Sequence, residues 1–464
     1  MHFLYANPVL RQPLVQLTEE SFFWTLSGIY THTLPAMLDL LVPAQNLERY
    51  SVLRSKYLEN RVADLFRQHF HGAKVYQGSE FHVTPEDTSG HENDILVIVD
   101  TTAFVIECKS GRVDPPARRG AALSLADTFD DLIAAASTQA QRFARFLKSN
   151  PKRHLFQTKG GQVNSVDASR LLRFIPISIT YEQLGLISAN LMDLADAGFI
   201  SEEAASTPSL CFTDLEVIFE ILDCAAQRIH YLARRAEIQL TMKYWGDEID
   251  LLAFYVESGF NVGDWETSGD FVNLCMKSKE LDPYYVGRAD GVSVRKPRLR
   301  LTDWWRRDIE RLEEDRMPCW TEIAYVLLSV GFDEQIGLEQ QTRELNRRVQ
   351  TGKVKNKYNW VCMLSGTNTK RPYGLIGFLD SGFGPEERSR MMRAAAGQFL
   401  EKRKVFGLVV LAIDTTGRLA TPYAALAYVP GNADGAMDVG RVIPPTLPSN
   451  DFDLHLKNPR PRKS

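Results

Sequence analysis

The chain has 464 residues, more than one hydrophobic core usually serves, so two or three domains are expected. Apolar residues at 44%, charged residues at 24% and a net charge of -4 are ordinary globular values and exclude a wholesale attraction to nucleic acid or membrane; any polyanion site must be local. Six scattered cysteines with no C-x-x-C pair suggest neither a structural zinc nor a disulfide framework.

The start, "MHFLYANPVLRQPL", lacks the basic and apolar pattern of a signal peptide, and no run of about 18 apolar residues follows anywhere, so a cytoplasmic protein with no membrane partner is expected. Residues 1–45, including "ESFFWTLSGIYTHTLPAMLDLLV", read as a short-helical extension without chemistry. From Arg54 to Phe70 the spacing of Leu58, Val62, Leu65 and Phe66 predicts a helix. Three strands follow in "AKVYQGSEFHV", "DILVIVD" and "AFVIECK", then a basic loop, "GRVDPPARRG". A second long helix carries the stripe Phe129, Leu132, Ile133, Ala136, Ala140, Phe143, Leu147, and another strand lies in "RLLRFIPISIT". Helix, three strands, helix, strand make an α/β unit over residues 46–185. Residues 186–300 read as helical, and Asp247 there is expected to cap a helix rather than to form a second acidic site. Residues 301–435 read as a second α+β domain with four strands, and residues 436–464 as a Pro-rich basic tail.

The chemistry concentrates in "HENDILVIVDTTAFVIECKSG". Alternation in a strand puts Glu107 and Lys109 on one face. If Asp100 and Thr101 form a two-residue turn, Asp94 lies opposite Glu107, with the carboxylates within about 5 Å. Such a pair is unfavourable unless one acid is protonated or a cation is shared, and hard oxygen ligands suit Mg²⁺ or Mn²⁺. Lys109 would then orient or deprotonate the attacking water and offset charge on a phosphate. The competing reading is an exposed edge hairpin in which Glu107 merely pairs with Lys109. Two helix positions bear on the choice. Glu59 projects away from the polar face of Arg61, Asp64 and Gln68, towards the side of Phe66 and Phe70, on a wheel of about 100° per residue. Gln139 borders the apolar stripe of the second helix, whereas Gln141 falls on its solvated face.

Helix acid, strand acid, "IECK" and helix glutamine, in that order, resemble the PD-(D/E)xK nuclease superfamily, in particular its restriction-endonuclease-like, Mrr-like and nuclease-related-domain branches. The resemblance covers about Arg54 to Thr180. It implies a four-stranded mixed sheet flanked by helices and Mg²⁺-dependent hydrolysis of phosphodiesters, with DNA expected before RNA. Asp94 and Glu107 would be metal ligands and the Cys108 carbonyl a third. Lys109 would be the water-positioning or general-base lysine, Glu59 a helper acid at the metal, and Gln139 a support for the strand or substrate. Asn93 stands where the motif has proline, and Glu92 is a second candidate for the role of Asp94. Arg112, Arg118, Arg119, Arg142, Arg145, Lys148, Lys152 and Arg153 are the local cations that would meet a phosphate backbone, or else a solvated helix face and loop. A catalytically silent relative that binds nucleic acid or a partner protein is the alternative; the C-terminal domain would be where a homodimer or partner forms.

Overall fold

The computed structural model describes residues 14–24, 42–84, 87–118, 120–353, 360–364, 372–380, 382–403, 405–414 and 423–428. The expected tail, residues 436–464, and Arg119 lie outside them. It is a mixed α/β protein that divides into two units, one of Met1–Val97, Phe104–Ser169 and Pro176–Glu216 and one of Ile98–Ala103, Arg170–Ile175 and Val217–Ser464.

Within residues 1–45 the described part holds two short strands and the start of a 3-10 turn, Ala44–Asn46. Strands β1 (Leu14–Gln16) and β2 (Phe22–Trp24) pair antiparallel. The Thr18 hydroxyl accepts the Ser21 amide at 3.0 Å and closes the turn between them, and Phe-Phe-Trp is a strand-forming run. Residues 1–13 and 25–41, where most of the expected helical extension falls, lie outside the described residues.

Helix α1 (Leu47–His69) buries Leu58, Val62, Ala63, Leu65 and Phe66. Gly72, at φ 80°, turns the chain into β3 (Lys74–Phe81). Strands β4 (His91–Val99) and β5 (Thr102–Lys109) leave Asp100 and Thr101 as the connection, with Asp100 in the left-handed region at φ 49°. A two-residue loop of this kind joins antiparallel strands. Phe66 and Phe70 stack at 5.3 Å, and both rings pack on Phe104 of β5, which fixes α1 on the sheet.

The second long helix is interrupted. Helix α2 (Ala122–Phe129) passes through a π-helical turn, Asp130–Ala134, into α3 (Ala135–Ser149). The expected apolar stripe is buried along its whole length. Beyond it, β6 (Arg153–Gln157) and β7 (Val163–Asp167) form an antiparallel hairpin in a stretch that reads as polar loop, and β8 (Arg173–Thr180) pairs parallel with β9 (Ser209–Cys211). The sheet therefore has seven strands, in the order β7-β6-β3-β4-β5-β8-β9, rather than four. The two strands that carry the acids and the lysine are β4 and β5, near its middle.

The second unit is helical through α4 (Phe212–Ile221), whose last residues it takes in, α5 (Ala225–Thr241) and α6 (Glu248–Ser258). Asp247 caps α6: its Oδ1 accepts the Asp250 amide at 2.9 Å, and the Asp250 carboxylate accepts the Asp247 amide at 3.2 Å. That acid pair is a capping box and no second site. Arg234 and Arg235 of α5 are fully buried and matched by Glu266 at 2.7 Å and Glu248 at 3.0 Å, so the charges sit in pairs, as burial demands. In the C-terminal sheet β10 (Trp360–Leu364) runs antiparallel to β11 (Tyr373–Asp380). β11 pairs parallel with β12 (Gly407–Asp414), and β12 antiparallel with β13 (Tyr423–Tyr428). Among the described residues no helix is long and apolar enough to cross a membrane.

Candidate active site

The cleft over β4 and β5 measures about 430 Å³ and is lined by Glu59 from α1, Glu92 and Asp94 from β4, Glu107, Cys108 and Lys109 from β5, and Gln139 and Arg142 from α3. All five residues expected to act in catalysis border it. Each comes from a different point in the chain, and the sheet and the two helices bring them to one place.

Asp94 Oδ2 accepts the backbone amide of Cys108 at 2.8 Å, which ties the β4 acid across to β5. The Asp94 and Glu107 carboxyls adjoin one another across the two strands, and the charge of Asp94 adds to burial in raising Glu107. Glu107 Oε1 also accepts Asn93 Nδ2 at 2.9 Å, and the same amide donates to the Ile106 carbonyl at 3.2 Å. Burial, and then the neighbouring Asp94 charge, raise the Glu107 carboxyl well above the ordinary range. Burial likewise raises Asp94. Glu59, half-buried and accepting Ser55 Oγ at 3.4 Å, is raised by burial and then by Asp94, so it stands close enough to feel that charge.

On the opposite flank Lys109 Nζ donates to Gln139 Oε1 at 2.8 Å. Gln139 thus looks inward. Gln141 does not lie on a solvated face: its Nε2 is within 2.7 Å of the Glu203 carbonyl and 2.9 Å of the Ser206 and Thr207 hydroxyls, a set of acceptors that only the fold of residues 202–207 brings near. Glu92 lines the same cleft but is ion-paired with Lys159. Of the two candidate strand acids, Asp94 is the one that adjoins Glu107.

The cations separate in the same way. Arg142 lines the cleft, and its guanidinium donates to His91 Nδ1 at 2.9 Å. His91 Nε2 faces Asp87 Oδ2 at 3.2 Å, so the ring bridges Asp87 and Arg142. Arg145 is exposed and paired with Glu203 at 2.8 Å, and Lys148 and Lys152 are exposed on and after the same helix. Arg153 stands 4.0 Å from Asp167. Arg112, in the loop after β5, is half-buried. Arg118 closes the turn Pro115–Arg118.

Among the described residues no three His, Cys, Asp or Glu side chains form a ready metal cage. The donor set nevertheless suits a hard cation held by few protein ligands: two adjoining carboxyls with raised pKa values need a positive charge, and Mg²⁺ commonly takes one or two carboxylates and leaves its other positions to water and phosphate. Asn93 Oδ1 is buried beside them without a hydrogen bond, one more oxygen acceptor at this spot.

The raised carboxyls give a stability prediction. Their folded pKa values lie above the unfolded ones, so the folded state binds more protons, and metal-free stability falls as pH rises from about 4 through the raised values. A divalent cation opposes that loss. Thermal unfolding in EDTA is expected to weaken between pH 5 and pH 8, with Mn²⁺ restoring stability at pH 8. Glu107→Gln is expected to raise the metal-free melting temperature at pH 8 by about 2 °C or more while removing the Mn²⁺ effect.

The chain matches no protein-family model, no curated protein and no solved structure. Its function has to be argued from the cleft itself.

Proposed function

We propose that the chain is a divalent-metal-dependent nuclease with a restriction-endonuclease-like core, hydrolysing phosphodiester bonds of nucleic acid, DNA in the first instance. The observation that carries this reading is the adjoining carboxyls of half-buried Asp94 and buried Glu107 on adjacent strands, with the Lys109 ammonium held by Gln139 in the same cleft.

Asp94 and Glu107 would hold Mg²⁺ or Mn²⁺, with Glu59 as a flanking acid and the Cys108 carbonyl as a further candidate ligand. The ion, when bound, would place positive charge on the scissile phosphate and acidify water. Lys109 orients the attacking water and offsets charge that builds on the phosphate as the new P–O bond forms and the ester P–O bond breaks. Gln139 is a positioning residue, since it holds the ammonium rather than the substrate. Asn93 does the same for Glu107, fixing one carboxylate oxygen so that the other is free to turn to the cation.

Arg142 is the cation best placed to meet the substrate backbone. Arg142→Ala is expected to weaken DNA binding at every sequence and to reduce the salt dependence of log K by about 1, whereas Arg145→Ala, which breaks an exposed pair, should change affinity by less than about twofold. Salt titrations of both variants check this.

One observation favours the catalytically silent reading: Asp94 Oδ2 and Glu107 Oε1 already accept internal hydrogen bonds. Incubation of the purified protein with plasmid, single-stranded DNA and RNA, each with Mg²⁺, Mn²⁺ or EDTA, separates the two. Cutting that EDTA stops supports the nuclease; binding without cutting under any metal supports the silent module.

A further inference from the structure

Helix α1 and the residue that follows β8 expose two aromatic rings to water. Tyr57 is 52% and Tyr181 is 36% exposed, and their rings meet edge to face with centroids 6.4 Å apart. Tyrosine is amphipathic, yet two adjoining rings left in water give up apolar burial that a ligand would restore. Their position is specific: the Tyr181 amide donates to the Lys109 carbonyl at 3.0 Å, so this ring starts one hydrogen bond from the strand that carries the catalytic lysine.

A cation backs the pair. The Arg54 guanidinium lies 4.7 Å from the centre of the Tyr181 ring, and its side chain is only 8% exposed. Among the described residues its Nε and Nη2 make no hydrogen bond, while Nη2 is ion-paired with Glu182 at 4.0 Å. A buried guanidinium with unused donors behind exposed rings favours a ligand that combines a flat π-surface with negative charge. An unpaired nucleotide has both. A base within a duplex offers no free face, since its neighbours cover it.

We infer that Tyr57 and Tyr181 form a stacking platform for an unpaired nucleobase of the strand that is cut, so that the substrate is single-stranded or frayed nucleic acid. The inference rests on the nuclease reading for the word "cut", but the platform can be measured without chemistry. In EDTA, which prevents hydrolysis, binding of a fluorescent oligothymidine, an oligouridine and a duplex of equal length is compared by anisotropy for the wild type, Tyr57→Ala, Tyr181→Ala and the Phe variant at each position. Each alanine is expected to weaken single-strand binding by at least about fivefold and duplex binding by less than about twofold, with phenylalanine close to wild type. Loss with alanine and retention with phenylalanine also separates stacking from misfolding, which circular dichroism checks directly. Equal loss on oligothymidine and oligouridine assigns the platform to bases in general; loss on one alone assigns it to that polymer. Alanine variants that bind single strands like the wild type, or that lose duplex equally, overturn the inference, as does a wild type that prefers duplex. A protein that cuts duplex in a Lys109-dependent way while showing one of those results keeps the nuclease function and loses the platform.

Discussion

On the proposed nuclease reading, Lys109→Ala is expected to lower the turnover of phosphodiester cleavage by about 10² to 10⁴ while changing nucleic-acid affinity by less than about tenfold. The asymmetry follows from when the ammonium would act. Water becomes a nucleophile and the phosphate gains charge only on the way to a transition state, so the loss should appear in kcat. Ground-state binding is expected to depend instead on the cations around the cleft, Arg142 first, and to stay strongly salt-dependent. Gln139→Leu removes only the 2.8 Å contact that holds the lysine, and is expected to lower kcat by about tenfold with binding unchanged. A rate loss in Gln139→Leu that exceeds the loss in Lys109→Ala would show that the glutamine touches the substrate itself.

Glu107→Ala is expected to act on the cation. Two adjoining carboxyls with raised pKa values are the electrostatic demand that a divalent ion meets, and deleting one of them leaves Asp94 alone. Calorimetric titration should show Mn²⁺ affinity falling by at least about tenfold in Glu107→Ala, and by a similar factor in Asn93→Leu, which loses the amide that orients Glu107. Because carboxyls must be deprotonated to hold an ion, wild-type affinity should rise with pH through the raised carboxyl range, and the rise should flatten in Glu107→Gln. Mn²⁺ affinity equal to the wild type in Glu107→Ala would place any metal elsewhere.

The parts of this site legible in the sequence were those that local geometry controls. A two-residue turn sets which residues of β4 and β5 face one another, and strand alternation sets Glu107 with Lys109; both need only a few adjoining residues. The inward placement of Glu59 and Gln139 follows from helical period in the same way. What escaped depends on distant chain. The β6 strand buries His154 and Phe156 and exposes Leu155 at 70%, which blurs the usual alternation of a half-buried strand and hides it among polar residues. Gln141 is polar by type, and only the segment 202–207, more than sixty positions on, supplies acceptors for it. That segment belongs with the first unit, which runs to Glu216, although the shift to helical pattern after Thr180 suggests an earlier boundary. Asn93 was visible as a departure from a motif. Its work as the donor to Glu107 needs the β4 and β5 pairing to be seen.

The most direct test of the central claim is cleavage of end-labelled DNA, single-stranded and duplex, by the wild type and Glu107→Gln across a Mg²⁺ titration, with EDTA as the zero point. The account predicts that the wild type cuts at a rate that saturates with Mg²⁺ and stops in EDTA, and that Glu107→Gln, folded and still able to bind the DNA, does not cut at any Mg²⁺ concentration. Cleavage that persists in EDTA, or a Glu107→Gln protein that cuts at the wild-type rate, would contradict it.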